Sequence, residues 1–233
     1  MNNQNAERFL IAFNRIEKAL KAWMIHKKDL GFTRSVKILS KSNAVINRYQ
    51  EDLLEYAALR NAIVHNRLDM TYVIAEPHLS VVERIERIEK EITEPKRVYP
   101  MFARKVTIFH EDDKLSALLQ VIKTKDISKF PIYSGKDLIG LLSEKGITQW
   151  MAKNAKDNQL PSILTCLREV LSCQKNNNYR FITKDTTIYE AQDIFKNQIG
   201  QGNRLDVLLI TDDGKPSKNL KGIITPRDII DIP

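Results

Sequence analysis

The chain has 233 residues, of which 42% are hydrophobic and 28% charged, which excludes a disordered protein and leaves room for one or two domains. Its net charge of +8 is spread along the chain and permits a polyanionic partner without requiring one. There is no run of about 18 apolar residues and no signal-peptide pattern, so we expect a cytoplasmic protein without membrane contact.

The histidines and cysteines predict no metal site. The 4 histidines and 2 cysteines show none of the spacings with which proteins bind zinc. We therefore expect the cysteines to be small core residues in a reducing compartment.

Residues 1–93 are predicted to form an all-α helical bundle. Apolar residues recur at intervals of three and four, which is typical of helices with one buried face. The stripes run from Phe9 to Trp23, from Ile46 to Ile63 and from Val81 to Ile92. The second stripe predicts one long central helix that ends near His65, and the third helix is predicted to begin near Pro77. Because a bundle of this size often completes its core by dimerising, we expect a homodimer.

Arg60, Asn61 and His65 stand at the end of the predicted central helix. Here the chain resembles the HEPN superfamily, whose ribonuclease members carry an Arg, four to six residues and a His, often with Asn directly after the Arg. The resemblance covers roughly residues 5–92. It implies a dimeric, metal-independent endoribonuclease with Arg60 and His65 as catalytic residues and Asn61 in support.

These side chains suit RNA cleavage without a metal. His65 titrates near neutrality and can take the proton of a 2′-hydroxyl, and Arg60 can stabilise the charge that develops on the phosphate. On a regular helix the two lie about 140° apart, so they meet one phosphate only if the helix distorts or a dimer assembles the site. Alternatively, Arg60 pairs with Glu51 or Glu55, and His65 caps the helix without any catalysis.

From residue 98 the sequence contains two copies of a β-α-β-β-α pattern. The predicted strands lie at 106–109, 130–133 and 138–142 in the first copy and at 181–183, 207–210 and 222–224 in the second. The offset between the copies grows from 73 residues at Leu115 and Ile188 to 82 at Gly140 and Gly222, with the insertions in loops. Since each copy is too small to hold a core alone, the two should pack on one another.

The predicted fold class is therefore α+β, with an all-α helical bundle followed by two β-α-β-β-α units packed as a pair. The predicted boundaries are 1–93 for the bundle, 98–154 for the first unit, 155–173 for a linker helix and 174–233 for the second unit. Within the linker, the helix is expected to run from Pro161 to Ser172.

The two units resemble a tandem pair of CBS domains, the Bateman module. The resemblance covers residues 98–233, and it is carried by the apolar strands before Ser143-Glu144-Lys145-Gly146 and Thr225-Pro226-Arg227-Asp228 and by the acidic turns at 111–113 and 184–186. It implies that an adenosine-containing ligand binds between the units through the motif Gly-apolar-apolar-Thr-x-x-Asp. Residues 222–228 match this motif in full.

Thr225, Arg227 and Asp228 are accordingly the predicted nucleotide-binding residues. The hydroxyl of Thr225, at the start of a helix, suits a phosphate, Asp228 can accept hydrogen bonds from ribose hydroxyls, and Arg227 can bind further phosphates. The resemblance also implies that Ile182 and Thr183 lie against the base. As an alternative, a Thr followed by an acid three residues later is a helix capping box, which needs no ligand.

The first copy departs from the motif. Ser143 keeps a hydroxyl and Lys145 a charge, but Gly146 stands where the motif has Asp. We therefore predict a weaker second site at Ser143 and Lys145, and one competent nucleotide site in the chain.

Together these features predict a cytoplasmic regulatory protein whose CBS pair binds AMP, ADP or ATP and controls a dimeric HEPN-like domain. RNA is the candidate substrate of that domain, and no metal is predicted. Two alternatives remain open: a non-catalytic nucleotide-sensing or protein-interaction module, and a receptor for a cyclic dinucleotide.

Overall fold

The computed structural model describes residues 4–24, 30–65, 76–125, 127–156, 159–174, 178–216 and 219–230. It divides into two compact units, Met1–Lys96 and Arg97–Pro233, called here the N-terminal and the C-terminal unit. The N-terminal unit is helical and the C-terminal unit contains two sheets, so the predicted α+β class with a helical N-terminal region is confirmed. No helix within the described ranges is long and apolar enough to cross a membrane.

Five helices form the described part of the N-terminal unit. They are α1 (Gln4–Trp23), α2 (Phe32–Leu39), α3 (Ala44–Arg48), α4 (Gln50–His65) and α5 (Leu79–Thr93). The apolar residues from Phe9 to Leu20 on α1 and from Val82 to Ile92 on α5 that recur at helical spacing are buried and form the core of this unit, whereas Trp23, at the end of the predicted stripe, is exposed. Phe9 of α1 also meets Tyr56 of α4 edge to face, with ring centroids 5.7 Å apart.

Two helix boundaries differ from the prediction. The central helix is interrupted at Tyr49 (φ −105°, ψ 16°), which separates α3 from α4, although the apolar spacing continues across the break. The hydroxyl of Tyr49 donates a hydrogen bond to Glu91 at 2.7 Å, which ties this break to α5. Helix α5 begins at Leu79, two residues after Pro77, because His78 is its N-cap and accepts a hydrogen bond from the Ser80 N–H, so Pro77 lies before the first turn.

The two sheets of the C-terminal unit have the same strand arrangement. The first contains β1 (Phe109–His110), β2 (Lys129–Ser134) and β3 (Asp137–Ser143), and the second contains β4 (Tyr179–Thr183), β5 (Val207–Thr211) and β6 (Gly222–Ile224). In each, the first strand pairs parallel with the middle strand and the third pairs antiparallel with it. Helices α7 (Leu115–Lys125) and α8 (Glu144–Asn154) accompany the first sheet, and α10 (Ile188–Gly200) and α11 (Pro226–Ile230) accompany the second.

Two short helices, α6 (Val98–Met101) and α9 (Leu167–Leu171), are exchanged between the copies. Val98 is the first residue of the first copy but is buried in the core of the second with Ile182 and Ile188. Leu167 precedes the second copy but is buried in the core of the first. A further core cluster contains Leu141 of β3 together with strand residues of the second sheet, so the two copies share apolar surface.

The linker and the first strand also differ from the prediction. In the linker, predicted as a helix from Pro161 to Ser172, only α9 is helical. Leu160, Ile163 and Leu164 are apolar but exposed (72%, 49% and 65%), so no burial stabilises a helix there. The first strand, predicted at 106–109, is confined to Phe109–His110.

Candidate ligand clefts

The C-terminal unit contains a cleft of about 370 Å³ at the end of β6, called here the Asp228 cleft. Three chain segments line it, with residues Arg104, Lys105, Val106 and Thr107, then Ile127, Ser128 and Lys129, and finally Ile223, Thr225 and Asp228. The first two segments belong to the first copy and the third to the second copy, so the two copies form this cleft together.

Thr225 lies between β6 and α11, and Asp228 lies in the first turn of α11. Oδ2 of Asp228 accepts hydrogen bonds from the N–H and from the hydroxyl of Thr225, both at 2.7 Å. An acid three residues after a threonine makes the first of these bonds in a capping box. Local capping therefore fixes the carboxylate at the rim of the cleft and leaves 26% of its side chain exposed.

Arg104 is a cleft residue that the sequence did not predict. Its Nη2 donates to Oδ2 of Asp228 at 3.1 Å and also to the carbonyl oxygen of Ile223. Burial acts to raise the pKa of Asp228, but the two hydrogen bonds from Thr225 and the charge of Arg104 outweigh it and hold this pKa below its ordinary value. Asp228 is thus ionised at neutral pH, and in the described part of the chain the hydrogen bonds to its carboxylate all fall on Oδ2, so Oδ1 accepts none there.

The charge and polarity of the Asp228 cleft suit a ligand with both an anionic and an apolar part. Among the described residues, three cations line it, Arg104, Lys105 and Lys129, together with one acid, Asp228. Its apolar side is provided by Val106, Ile127 and Ile223. A few polar groups set among apolar walls are what orients a small molecule in a pocket.

The structure brings two of the five predicted nucleotide-binding residues to this cleft. Thr225 and Asp228 line it, whereas Arg227 is exposed outside the lining. Ile182 is buried in the core of the second copy. The hydroxyl of Thr183 accepts a hydrogen bond from the Asp185 N–H in the turn after β4.

A second cleft, of about 820 Å³, lies near α8 and is called here the Gln174 cleft. Its lining consists of Lys145, Gln149, Ala152, Lys153, Ser172, Cys173, Gln174, Asn178, Gly202, Asn203 and Arg204. Of the two residues predicted for a weaker second site, Lys145 lines this cleft and Ser143 is fully buried.

Gln174 occupies the position in the first copy that the carboxylate of Asp228 has in the second. Its Oε1 accepts hydrogen bonds from the Ser143 N–H at 3.3 Å and from the Ser143 hydroxyl at 2.8 Å. A Cβ atom on Gly146 would lie 2.2 Å from the same Oε1, so the glycine makes room for this amide. The Gln174 cleft therefore has a neutral acceptor where the Asp228 cleft has a charged one.

The predicted catalytic residues of the N-terminal unit all belong to α4. Arg60 is half-buried, and its Nη1 lies 3.4 Å from Oδ1 of the exposed Asn61. The side chain of His65 falls outside the described residues. Within the described ranges, no group of three or more His, Cys, Asp or Glu residues is placed to hold a metal ion.

The CBS domain family model matches residues 98–153 and 168–233, which together make up more than half of the chain. Three similar solved structures have TM-scores between 0.41 and 0.44. One is a CBS domain-containing protein of unknown function from Kribbella flavida DSM 17836 (11% identity, TM-score 0.44, 58% of this chain and 96% of that chain). The second is a CBS domain pair in complex with 5′-methylthioadenosine and S-adenosyl-L-methionine (14%, 0.42, 58% and 93%). The third is the CBS domain of the bacterial CNNM/CorC family Mg²⁺ transporter in complex with ATP (12%, 0.41, 58% and 84%).

Proposed function

Because this chain belongs to the CBS domain family, we propose that its C-terminal unit binds one adenine nucleotide, AMP, ADP or ATP, in the Asp228 cleft. The observation that carries the proposal is the Asp228 carboxylate, which is ionised, is fixed by Thr225, accepts no hydrogen bond at Oδ1 among the described residues and lies in a cleft with three cations. A cleft of about 370 Å³ lies within the usual size range of small-molecule pockets.

Each part of a nucleotide finds matching chemistry in this cleft. A carboxylate with a free oxygen accepts hydrogen bonds from ribose hydroxyls, as acidic residues do in dinucleotide sites. Arg104, Lys105 and Lys129 supply the charge for one or more phosphates. The apolar side chains of Val106, Ile127 and Ile223 offer a surface for the purine ring.

The role of this binding is regulatory in our proposal. The nucleotide biases the N-terminal unit, which acts as a homodimer, by binding more tightly to one of two arrangements of the protein. The homodimer in this proposal rests on the small size of the helical bundle, whose core a second copy would complete. The protein works without a metal in this proposal.

A thermal-shift panel tests nucleotide binding in the full chain. AMP, ADP or ATP should raise the melting temperature of the wild type, because a ligand that binds the folded state stabilises it. GMP and a cyclic dinucleotide belong in the same panel. Asp228→Ala should abolish the shift, while Asp213→Ala, at an exposed turn of the second copy, should keep it. Unchanged melting of the wild type across the panel would refute the proposal.

RNA cleavage by the N-terminal unit is a second candidate function. It is favoured by the contact of Arg60 with Asn61, since within the described residues this guanidinium makes no ion pair with Glu51 or Glu55. Incubating the purified protein with RNA, with and without nucleotide, tests this function. Cleavage should disappear in Arg60→Ala and in His65→Ala, and cleavage that persists in both variants would identify a contaminant. A protein that binds nucleotide but cleaves no RNA would be the non-catalytic module.

A further inference from the structure

Charge is distributed unevenly within the N-terminal unit. Between residues 30 and 50 the sequence contains no Asp or Glu, but it contains Arg34, Lys37, Lys41 and Arg48. Helix α5 of the same unit carries four glutamates within 15 residues. The net positive charge of this unit is therefore concentrated around α2 and α3.

Two cations of α2 and one cation in the turn after it line a groove. Helix α2 buries Ser35, Val36 and Leu39 and exposes Arg34 and Lys37, and the exposed Lys41 follows just beyond the C-cap Ser40. A groove of about 520 Å³, called here the α2 groove, is lined by Arg34, Lys37, Ile38, Ser40, Lys41, Asn47 and Gln50. Among the residues that the structure describes, its lining combines three cations with the polar Ser40, Asn47 and Gln50 and the apolar Ile38, and it contains no acid.

Some cations of the N-terminal unit have an acidic partner, whereas these three, like Lys18, Arg87 and Lys90, have none among the described residues. Ion pairs elsewhere in the unit join Arg8 to Glu86 at 2.8 Å, Lys21 to Glu17 at 3.1 Å and Arg84 to Asp52 at 2.9 Å. Over the described ranges, Arg34, Lys37 and Lys41 take part in no ion pair. A concave surface lined by unpaired charges of one sign concentrates ligands of the opposite sign.

We propose that the α2 groove binds the phosphate backbone of a single-stranded nucleic acid. A row of cations matches the repeated charge of such a strand, and Asn47 and Gln50 add amide groups of the kind that contact phosphates, sugars and base edges. A lipid surface fits less well, because membrane-binding helices present large exposed apolar side chains, and α2 presents none among its described residues. This binding site goes beyond nucleotide sensing, which takes place in the other unit.

Fluorescence anisotropy with the full chain and short single-stranded RNA and DNA oligomers tests the proposal. The triple variant Arg34→Gln, Lys37→Gln, Lys41→Gln should bind at least about tenfold more weakly than the wild type at low salt. Its slope of log affinity against log salt should fall by about 2, since each phosphate contact with a single strand contributes about 0.7. Lys37→Gln alone should give part of both effects. RNA and DNA should lose affinity together, because the phosphate backbone is common to both.

A matched control separates the groove from net charge. Lys18→Gln, Arg87→Gln, Lys90→Gln removes the same charge from exposed positions on α1 and α5, outside the groove, and should change affinity less than about twofold. Equal weakening in the two triple variants, or no binding of either strand by the wild type, would overturn the proposal. Displacement of the bound oligomer by a polyglutamate peptide at the same concentration of negative charge would also overturn the proposal, because the groove would then bind any polyanion. The triple variant of the groove should retain the melting temperature of the wild type and the rise of that temperature with nucleotide. Failure of the nucleotide-binding proposal would therefore be distinguishable from failure of the groove proposal.

Discussion

Gln174 accepts two hydrogen bonds from Ser143, one from its N–H at 3.3 Å and one from its hydroxyl at 2.8 Å. Asp228 accepts the matching pair from Thr225, both at 2.7 Å. In the first copy, the acceptor is thus the neutral amide of Gln174, which lies outside residues 143–146. In the second copy, it is the charged carboxylate of Asp228, which belongs to the motif itself. The two clefts differ in charge at the position where we propose that a ribose binds.

Restoring the acid in the first copy should create a second nucleotide site. In the double variant Gly146→Asp, Gln174→Ala, the new carboxylate has room because the Gln174 amide, 2.2 Å from a Cβ at position 146, is gone. Isothermal titration calorimetry should then give two nucleotides per chain in place of one. The control Gly146→Asn, Gln174→Ala has the same shape without the charge and should stay at one. A stoichiometry of one for both variants would contradict this interpretation of the cleft.

The glycines at matching positions in β3 and β6 should tolerate alanine very differently. A Cβ at Gly222 would lie 2.1 Å from the backbone oxygen of Phe102, whereas the atoms nearest to a Cβ at Gly140 would be side-chain carbons of Leu171, at 3.0 Å or more. Since a backbone carbonyl yields less readily than a side chain, Gly222→Ala should lose about 2 kcal/mol of unfolding free energy or more, and Gly140→Ala less than about 1.5 kcal/mol. Urea denaturation measures both losses. Equal losses would show that Phe102 can move aside.

The stabilisation contributed by Asp228 should depend on pH. Its pKa is lower in the folded protein, so its ionised form stabilises the fold above the unfolded value of about 3.9. This contribution is lost as the pH falls through the folded pKa. The difference in unfolding free energy between the wild type and Asp228→Asn should therefore be largest near pH 7 and shrink below about pH 4. A difference that stays constant with pH would contradict the assignment of these hydrogen bonds to the ionised form.

Tyr56 should weaken the fold at alkaline pH. Burial, followed by the charge of Asp52, raises the pKa of Tyr56 to about 12. An unfolded tyrosine titrates at about 10, so the fold loses stability as the pH rises from there towards the folded value, by about 3 kcal/mol in all. Denaturation of wild type and Tyr56→Phe across this range should show a flatter decline in the variant. If the unfolding free energies of the two proteins declined in parallel, groups other than Tyr56 would be responsible for the loss of stability at alkaline pH.

The sequence predicted helices well where apolar spacing coincides with burial. Phe9, Phe13 and Ile16 are spaced and buried as expected. The same spacing was misleading at Tyr49, where it continues through a break in the helix. It was also misleading at Ile163 and Leu164, where the apolar residues are exposed. Periodicity reports which side chains could share a face, but only tertiary packing decides whether that face is buried.

For the candidate site, the sequence could predict the contacts between residues that are close in the chain. Thr225 and Asp228 are three residues apart, and their contacts follow from the strand-to-helix connection that contains them. Arg104 reaches Asp228 from 124 positions away, and Gln174 reaches Ser143 from 31. No local pattern marks either of them, because both contacts depend on the packing of the two copies.

The exchange of α6 and α9 has a consequence for how this chain can be cut and recombined. Val98, at the start of the first copy, packs in the core of the second copy, and Leu167, which precedes the second copy, packs in the core of the first. A fragment ending at residue 156 would have the first sheet without α9 and would leave Val98 in water. Neither copy is therefore a portable module. The half-chains would have to be joined again, or expressed together, before either could fold.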